Sequence, residues 1–310
     1  MALWLLGTLF EHGIDGSLRQ TDNDLYVVWN DLFDGAINAE LLILGSSRAW
    51  VQIDPALLDT ALDVDSYNLG LDGYPFDMQY ALFQEYVRYN APPRYIIQTL
   101  DILTLRRRAN LFNREQFLPY LASPTIYKTA RSYGLHPFDR YVPMFKYYGS
   151  PIALRVGLLE LLNLKHYRSN KYKGFRGLDK AWDTSFEQFR QANPSVTIPI
   201  ADALLEDIIA FVDYCRNHNI TLIFVYPPEY IEYQALVSNR KQIFDIYTTI
   251  ARDYHIPFLD YSDSFFSQTT DHFYNSQHLH ANGARLFTRS LADDIKRLLQ
   301  ARDAQPYQGE

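Results

Sequence analysis

Three short segments of this chain combine hydroxyl, imidazole and glycine in patterns suited to acyl chemistry. The first is Gly45-Ser46-Ser47-Arg48, directly after the apolar run Leu41-Leu42-Ile43-Leu44. A serine there can lift its hydroxyl from the edge of a sheet. The glycine allows a sharp turn, and the start of a following helix offers backbone N–H groups to an oxyanion. A plain Ser-Ser helix cap has the same sequence. The second segment is Asn68-Leu69-Gly70-Leu71-Asp72-Gly73. Its two glycines permit close backbone approach to a ligand, and the Gly73 N–H can face a developing oxyanion; a tight turn is the alternative. The third runs from Phe273 to Ala284 and contains His278, just before the last helix. That position lets an imidazole reach over the strand ends toward Ser47. His280 is its nearest competitor and His272 a third.

The elements that must position these residues alternate between strand and helix. Leu41 to Leu44, Val64 to Leu69 and Tyr95 to Leu100 read as buried strands, with a helix bearing Tyr80, Phe83 and Val87 between the second and third. The alternation resumes with a helix at 202–217, a strand at Thr221 to Tyr226 and a helix at 236–252. A short strand at Pro257 to Asp260 follows, then a last helix burying Ala284, Phe287, Leu291, Ile295 and Leu298. This is the βαβ pattern of a three-layer, flavodoxin-like α/β fold with a mainly parallel sheet of about five strands. Ligands of such sheets sit at the carboxyl ends of the strands, so the loops that matter follow Leu44, Leu69, Leu100, Tyr226 and Asp260. Residues 1–310 read as a single domain. Residues 1–39 lack clear periodicity and read as an N-terminal arm. Residues 104–200, dense in aromatics and broken by proline and glycine, read as a helical insertion over the sheet edge. Those aromatics read as packing, with sugar stacking the alternative.

Composition narrows the partners. With 310 residues, 47% of them hydrophobic, the chain can bury a sizeable core. A net charge of −7 argues against a nucleic-acid partner, which needs clustered cations. Two local basic runs, Arg106-Arg107-Arg108 and Lys165 to Lys173, read as solvated faces, with a basic rim for an anionic polymer as the alternative. The single cysteine, Cys215, falls on a helix core and forms no intrachain disulfide. The eight histidines show no ligand spacing, so no metal or other cofactor is expected. The apolar opening Ala2 to Phe10 is too short to span a membrane and reads as the stump of a signal anchor, or else an ordinary first helix. No phosphate-cradling glycines and lysine follow Leu44, which sets aside a nucleotide binder.

Taken together, the three segments resemble the SGNH/GDSL hydrolase family over roughly 40–103 and 218–300. Gly45-Ser46-Ser47 is similar to the family's first block, Gly-Asp-Ser, with the nucleophile falling on Ser47 and Ser46 replacing the aspartate. This Gly-Ser-Ser form resembles envelope branches that handle D-alanyl or O-acetyl groups on surface polymers. Asn68 to Gly73 resembles the second block, whose last glycine, here Gly73, joins the Ser47 N–H in the oxyanion hole. Asn275-Ser276-Gln277-His278-Leu279 resembles the last block, Asp-x-x-His-Leu, followed by Gly283-Ala284. The third block, Gly-x-Asn-Asp, is not matched: Leu100-Asp101-Ile102-Leu103 stands there. One lost oxyanion donor costs about 3–4 kcal/mol, and Asp101 would repel an oxyanion unless protonated or turned away. Asn275 holds the triad aspartate's place; it can orient the imidazole, but serine triads without that charge lose on the order of 10⁴ in rate. Asp271, Asp260 and Asp263 are the nearby acids that could substitute. Arg48 reads as an ion-pair anchor, with contact to an anionic substrate as the alternative; Asp101 is a second candidate contact. The resemblance implies a bacterial, periplasmic or envelope-facing serine esterase or O-acyltransferase. Its substrate would be an acylated carbohydrate or small ester, with a membrane acyltransferase as a partner to consider. The competing expectation is an inactive module of the same fold that binds glycan or such a partner.

Overall fold

The computed structural model describes residues 1–303. Five strands, β1 (Leu41–Leu44), β2 (Ser66–Asn68), β3 (Tyr95–Thr99), β4 (Thr221–Tyr226) and β5 (Phe258–Asp260), pair in parallel in the order β2-β1-β3-β4-β5. Every residue of β1 is buried, which is why it reads as an unbroken apolar run and not as an alternation. Helices cover both faces. On one face Leu42, Leu44, Ile96 and Phe224 pack with Phe83, Phe211 and Ile243 from the helices Phe76–Tyr89, Asp202–Asn217 and Arg240–Asp253. On the other, Ile43, Ile97 and Val225 pack with Leu58 and Leu291 from the helices Pro55–Leu62 and Ala281–Asp303. The result is the expected α/β sheet between two helical layers.

The first 39 residues, read as an arm, are helical, as the ordinary-helix alternative for Ala2 to Phe10 had it. They hold two helices, Ala2–Leu18 and Val27–Phe33. No single apolar stripe marks the first helix because its two halves have different surroundings. Leu3, Trp4, Leu5, Leu6 and Leu9 are exposed, whereas Ile14 and Leu18 are buried against the helix Pro151–Leu161. Trp29 of the second helix stacks on Tyr120 and meets Phe117 edge-on, so part of the aromatic density of residues 104–200 is consumed by packing. Among the described residues no helix is long and apolar enough to cross a membrane.

For the site, the decisive feature is how the loops at the carboxyl end of the sheet are stitched together. The Leu69 N–H donates to the Ile43 carbonyl and the Leu71 N–H to the Gly45 carbonyl, both at 2.8 Å, so the loops after β1 and β2 run side by side. Gly45 has φ +148°, and a Cβ there would stand 1.8 Å from Thr99 Oγ1 at the end of β3. No other residue fits that turn without displacing β3.

Candidate active site

Ser47 opens the short helix Ser47–Trp50, and Ser46 caps it by accepting the Arg48 N–H at 3.3 Å. Asn68, the last residue of β2, holds this helix from the side. Its amide donates to the Ala49 and Ile53 carbonyls at 2.8 Å, and its Oδ1 accepts the Gly70 N–H at 2.8 Å. Gly73 is thereby carried to the cleft that Ser47 lines, a space of about 460 Å³. Its φ of +75° and the 2.7 Å that would separate a Cβ from the Phe112 ring both require glycine. Among the described residues, neither the Ser47 nor the Gly73 N–H donates a backbone hydrogen bond.

His278 comes from a hairpin beyond the sheet. Strands β6 (Phe273–Asn275) and β7 (His278–Leu279) are antiparallel, with Asn275 opposite His278. Asn275 Oδ1 accepts the backbone N–H groups of Gln277 and His278, each at 3.0 Å, and lies 2.9 Å from His278 Nδ1. Backbone N–H groups only donate, so the Asn275 atom facing them is the oxygen, and Nδ1 must carry the ring proton. Nε2 is then left as an acceptor, 2.7 Å from Ser47 Oγ. A neutral imidazole is thus held in the tautomer that can take the serine proton. The Tyr274 ring stacks on it at 5.5 Å and 8°.

Electrostatics hold that imidazole neutral. Burial first, then the Arg48 and Lys180 charges, push the His278 pKa down to about 3. Among the described residues no carboxylate hydrogen-bonds the His278 ring. Asp271 is exposed and meets His280 through its carbonyl, at 2.7 Å, and the Asp260 carboxylate accepts the Ser262 N–H at 2.9 Å. Neither they nor Asp263 hydrogen-bonds His278 among the described residues, so none of the three substitutes for a triad acid there. The competing imidazoles are engaged elsewhere. His280 Nδ1 accepts the Gly283 N–H at 3.0 Å at the start of the last helix, and His272 stands edge-on to Phe265 and Phe266.

Asp101 borders the cleft but is turned into its own loop. Its carboxylate accepts the Ser46 hydroxyl at 2.5 Å and the Leu103 N–H at 2.7 Å. Arg48 also borders the cleft, yet its guanidinium is buried in an ion pair with Glu229 at 3.2 Å. It also donates to the Pro227 carbonyl and lies over the Tyr226 ring, 4.9 Å from its centre. Glu229, fully buried, is shared with Arg240 at 2.5 Å and accepts the Tyr226 hydroxyl at 2.7 Å. Sequence reasoning did not find Glu229, because a pair separated by 181 positions leaves no local signal. Arg106, Arg107 and Arg108, first read as a solvated face with a basic rim as the alternative, stand on the cleft, as does Gln277, which was given no role. The position of the arginines in the loop after β3 was the available clue.

No protein-family model matches the chain, and no curated protein matches it. Solved structures with a similar course of the chain include a GDSL-like lipase from Bacteroides thetaiotaomicron, at 10% identity over 82% of this chain and 88% of that one, TM-score 0.38. An inhibitor-bound aryl esterase of M. smegmatis aligns at 12% identity over 83% and 98%, TM-score 0.37. A carbohydrate acetylesterase from Sinorhizobium meliloti aligns at 10% over 83% and 98%, TM-score 0.36. Identities this low leave the activity to be argued from the site itself.

Two outcomes are expected of this geometry. In an NMR titration the His278 ring should remain neutral to about pH 4, well below the ordinary histidine value of 6.5. Because the folded pKa is depressed, the unfolded chain binds the proton first; this group's contribution to stability is complete above 6.5 and lost progressively as pH falls toward 3. A transition near 6.5 would contradict the assigned burial. Separately, Glu229→Gln leaves Arg48 a buried cation without its partner and should cost about 3–5 kcal/mol in urea denaturation. A loss below about 1 kcal/mol would mean that the Pro227 carbonyl alone satisfies the guanidinium.

Proposed function

We propose that the chain is an SGNH-like serine ester hydrolase, acting on acyl, chiefly acetyl, esters of a carbohydrate or an envelope polymer. The observation that carries this reading is the 2.7 Å contact between Ser47 Oγ and a His278 Nε2 whose acceptor tautomer is fixed from behind by Asn275. Nε2 removes the hydroxyl proton as Oγ attacks the acyl carbonyl. The tetrahedral oxyanion is held by the Ser47 and Gly73 N–H groups. Collapse expels the alcohol, which takes the proton back from Nε2, and leaves an acyl group on Ser47. Water, deprotonated by the same nitrogen, then attacks the acyl-serine, and the acid leaves. A sugar hydroxyl in place of water makes the same site an O-acyltransferase.

One observation favours the competing reading of a binding module. An imidazole whose pKa lies near 3 is a weak base, and no carboxylate stabilises the imidazolium that must form. The two readings separate in one series. Wild-type protein should be labelled by a fluorophosphonate and should hydrolyse p-nitrophenyl acetate; Ser47→Ala and His278→Ala should each abolish turnover while circular dichroism stays unchanged. Asn275→Asp keeps an oxygen for the same three N–H groups and adds the missing charge. It should raise kcat by at least about tenfold, with about 10⁴ as the ceiling. It should also introduce a loss of activity on the acid side, because the carboxylate raises the His278 pKa. Absence of label and turnover in both the wild type and Asn275→Asp would leave the binding module.

A further inference from the structure

We propose that the Ser47 cleft takes an anionic ester, and that Arg106, Arg107 and Arg108 are the residues that select it. The inference rests on the esterase reading for its chemistry, but the cationic wall stands on its own observations. The three arginines follow β3 within a few residues, line the same cleft as Ser47 and are exposed to solvent. Among the described residues their guanidiniums enter no ion pair and donate no hydrogen bond. Arg48 and Arg240, which are buried or half-buried, are by contrast committed to Glu229.

What sets these three apart from other unpaired arginines is their place on the cleft that Ser47 lines. The chain has 36 acidic residues against 29 lysines and arginines, and partners for surface cations are abundant. The carboxylates that sense the cluster do not neutralise it. Asp72 feels Arg108, and Asp77 and Asp207 feel Arg107, all without forming an ion pair, while Asp101 on the same cleft is engaged with Ser46 and the Leu103 N–H. Arg108 lies over the Phe112 ring, 5.2 Å from its centre, which steadies the guanidinium without cancelling its charge. What remains is a set of planar forks suited to bidentate bonding with a carboxylate or phosphate. The cleft, about 460 Å³, has room for one or two sugar units beside the acyl group. The substrate class is therefore an acyl ester on a carbohydrate or polyol that also carries carboxylate or phosphate.

The test compares three esters: O-acetylated oligogalacturonate for the carboxylate, acetyl glycerol phosphate for the phosphate, and O-acetylated xylo-oligosaccharide as the neutral control. Wild-type kcat/KM should favour at least one anionic ester over the neutral one by about tenfold or more, a few exposed charge-assisted contacts acting together. The preference should appear in KM, and should shrink between 50 and 500 mM salt as screening shortens the reach of exposed charges to about 10 Å or less. The triple change Arg106→Gln, Arg107→Gln, Arg108→Gln should bring the ratio near one, and the triple lysine variant should retain part of it. Equal wild-type values for anionic and neutral esters, or a preference that survives the glutamine changes, overturn the proposal. If Ser47 proves unreactive, the esterase reading alone has failed. Calorimetry of unacylated oligogalacturonate and of glycerol phosphate with Ser47→Ala protein, with and without the glutamine changes, then decides the rim: binding lost with the arginines supports it, and absent or unaltered binding overturns it.

Discussion

A guanidinium stripped of water must be neutralised where it stands, and at Arg48 that requirement organises the whole carboxyl edge of the sheet. Arg48 follows Ser47 by one residue, and its partner Glu229 lies three residues past the end of β4. The ion pair therefore ties the helix that carries the hydroxyl to a strand two places away, across β3. Glu229 also gathers Arg240 and the Tyr226 hydroxyl, so the helix Arg240–Asp253 is drawn into the same lock. On the other side Asn68 fastens the Ser47 helix to β2. Held from both sides, the serine has little freedom except the rotation of its own hydroxyl.

The same charge has a second consequence. Arg48 is close enough to His278 to oppose its protonation, and Lys180 adds to the effect. Families of serine hydrolases place a carboxylate behind the imidazole; here Asn275 supplies orientation without charge. Ser46 stands where the resembling first block has aspartate, and Asp101 lies in the loop after β3. The two meet in a 2.5 Å hydrogen bond, so the carboxylate faces a hydroxyl donor and not the oxyanion position.

Much of this architecture was legible in the sequence because buried parallel strands and amphipathic helices leave strong local signals. Leu41 to Leu44 and Thr221 to Tyr226 announce themselves as apolar runs, and the helix Asp202–Asn217 has the bounds its spacing suggests. That topology was also enough to place Ser47 and His278 over one sheet edge, since loops at the carboxyl ends of parallel strands converge. The N-terminal helices were not legible, because Leu3, Trp4, Leu5 and Leu6 are apolar yet exposed and so blur the periodicity of the half that packs. Nor were Glu229 and the arginine wall. Glu229 depends on which loops meet in space, whereas the arginine run was visible after β3 and only its place beside Ser47 was not.

The resulting field has one sign. Arg48 and Lys180 act on the neutral imidazole, and Arg106, Arg107 and Arg108 line the cleft beside Ser47. Such a field penalises an imidazolium and favours an oxyanion, so it works against the proton transfer and for the addition that follows it. The balance depends on the leaving group. An alcohol of low pKa departs with little help from a protonated imidazole, and an ester carrying its own negative charge offsets the cations that weaken the base. An anionic substrate held in the cleft would bring a negative charge that offsets part of the Arg48 and Lys180 potential at His278. Binding and base strength would then be coupled through charge alone, with no movement of the fold required.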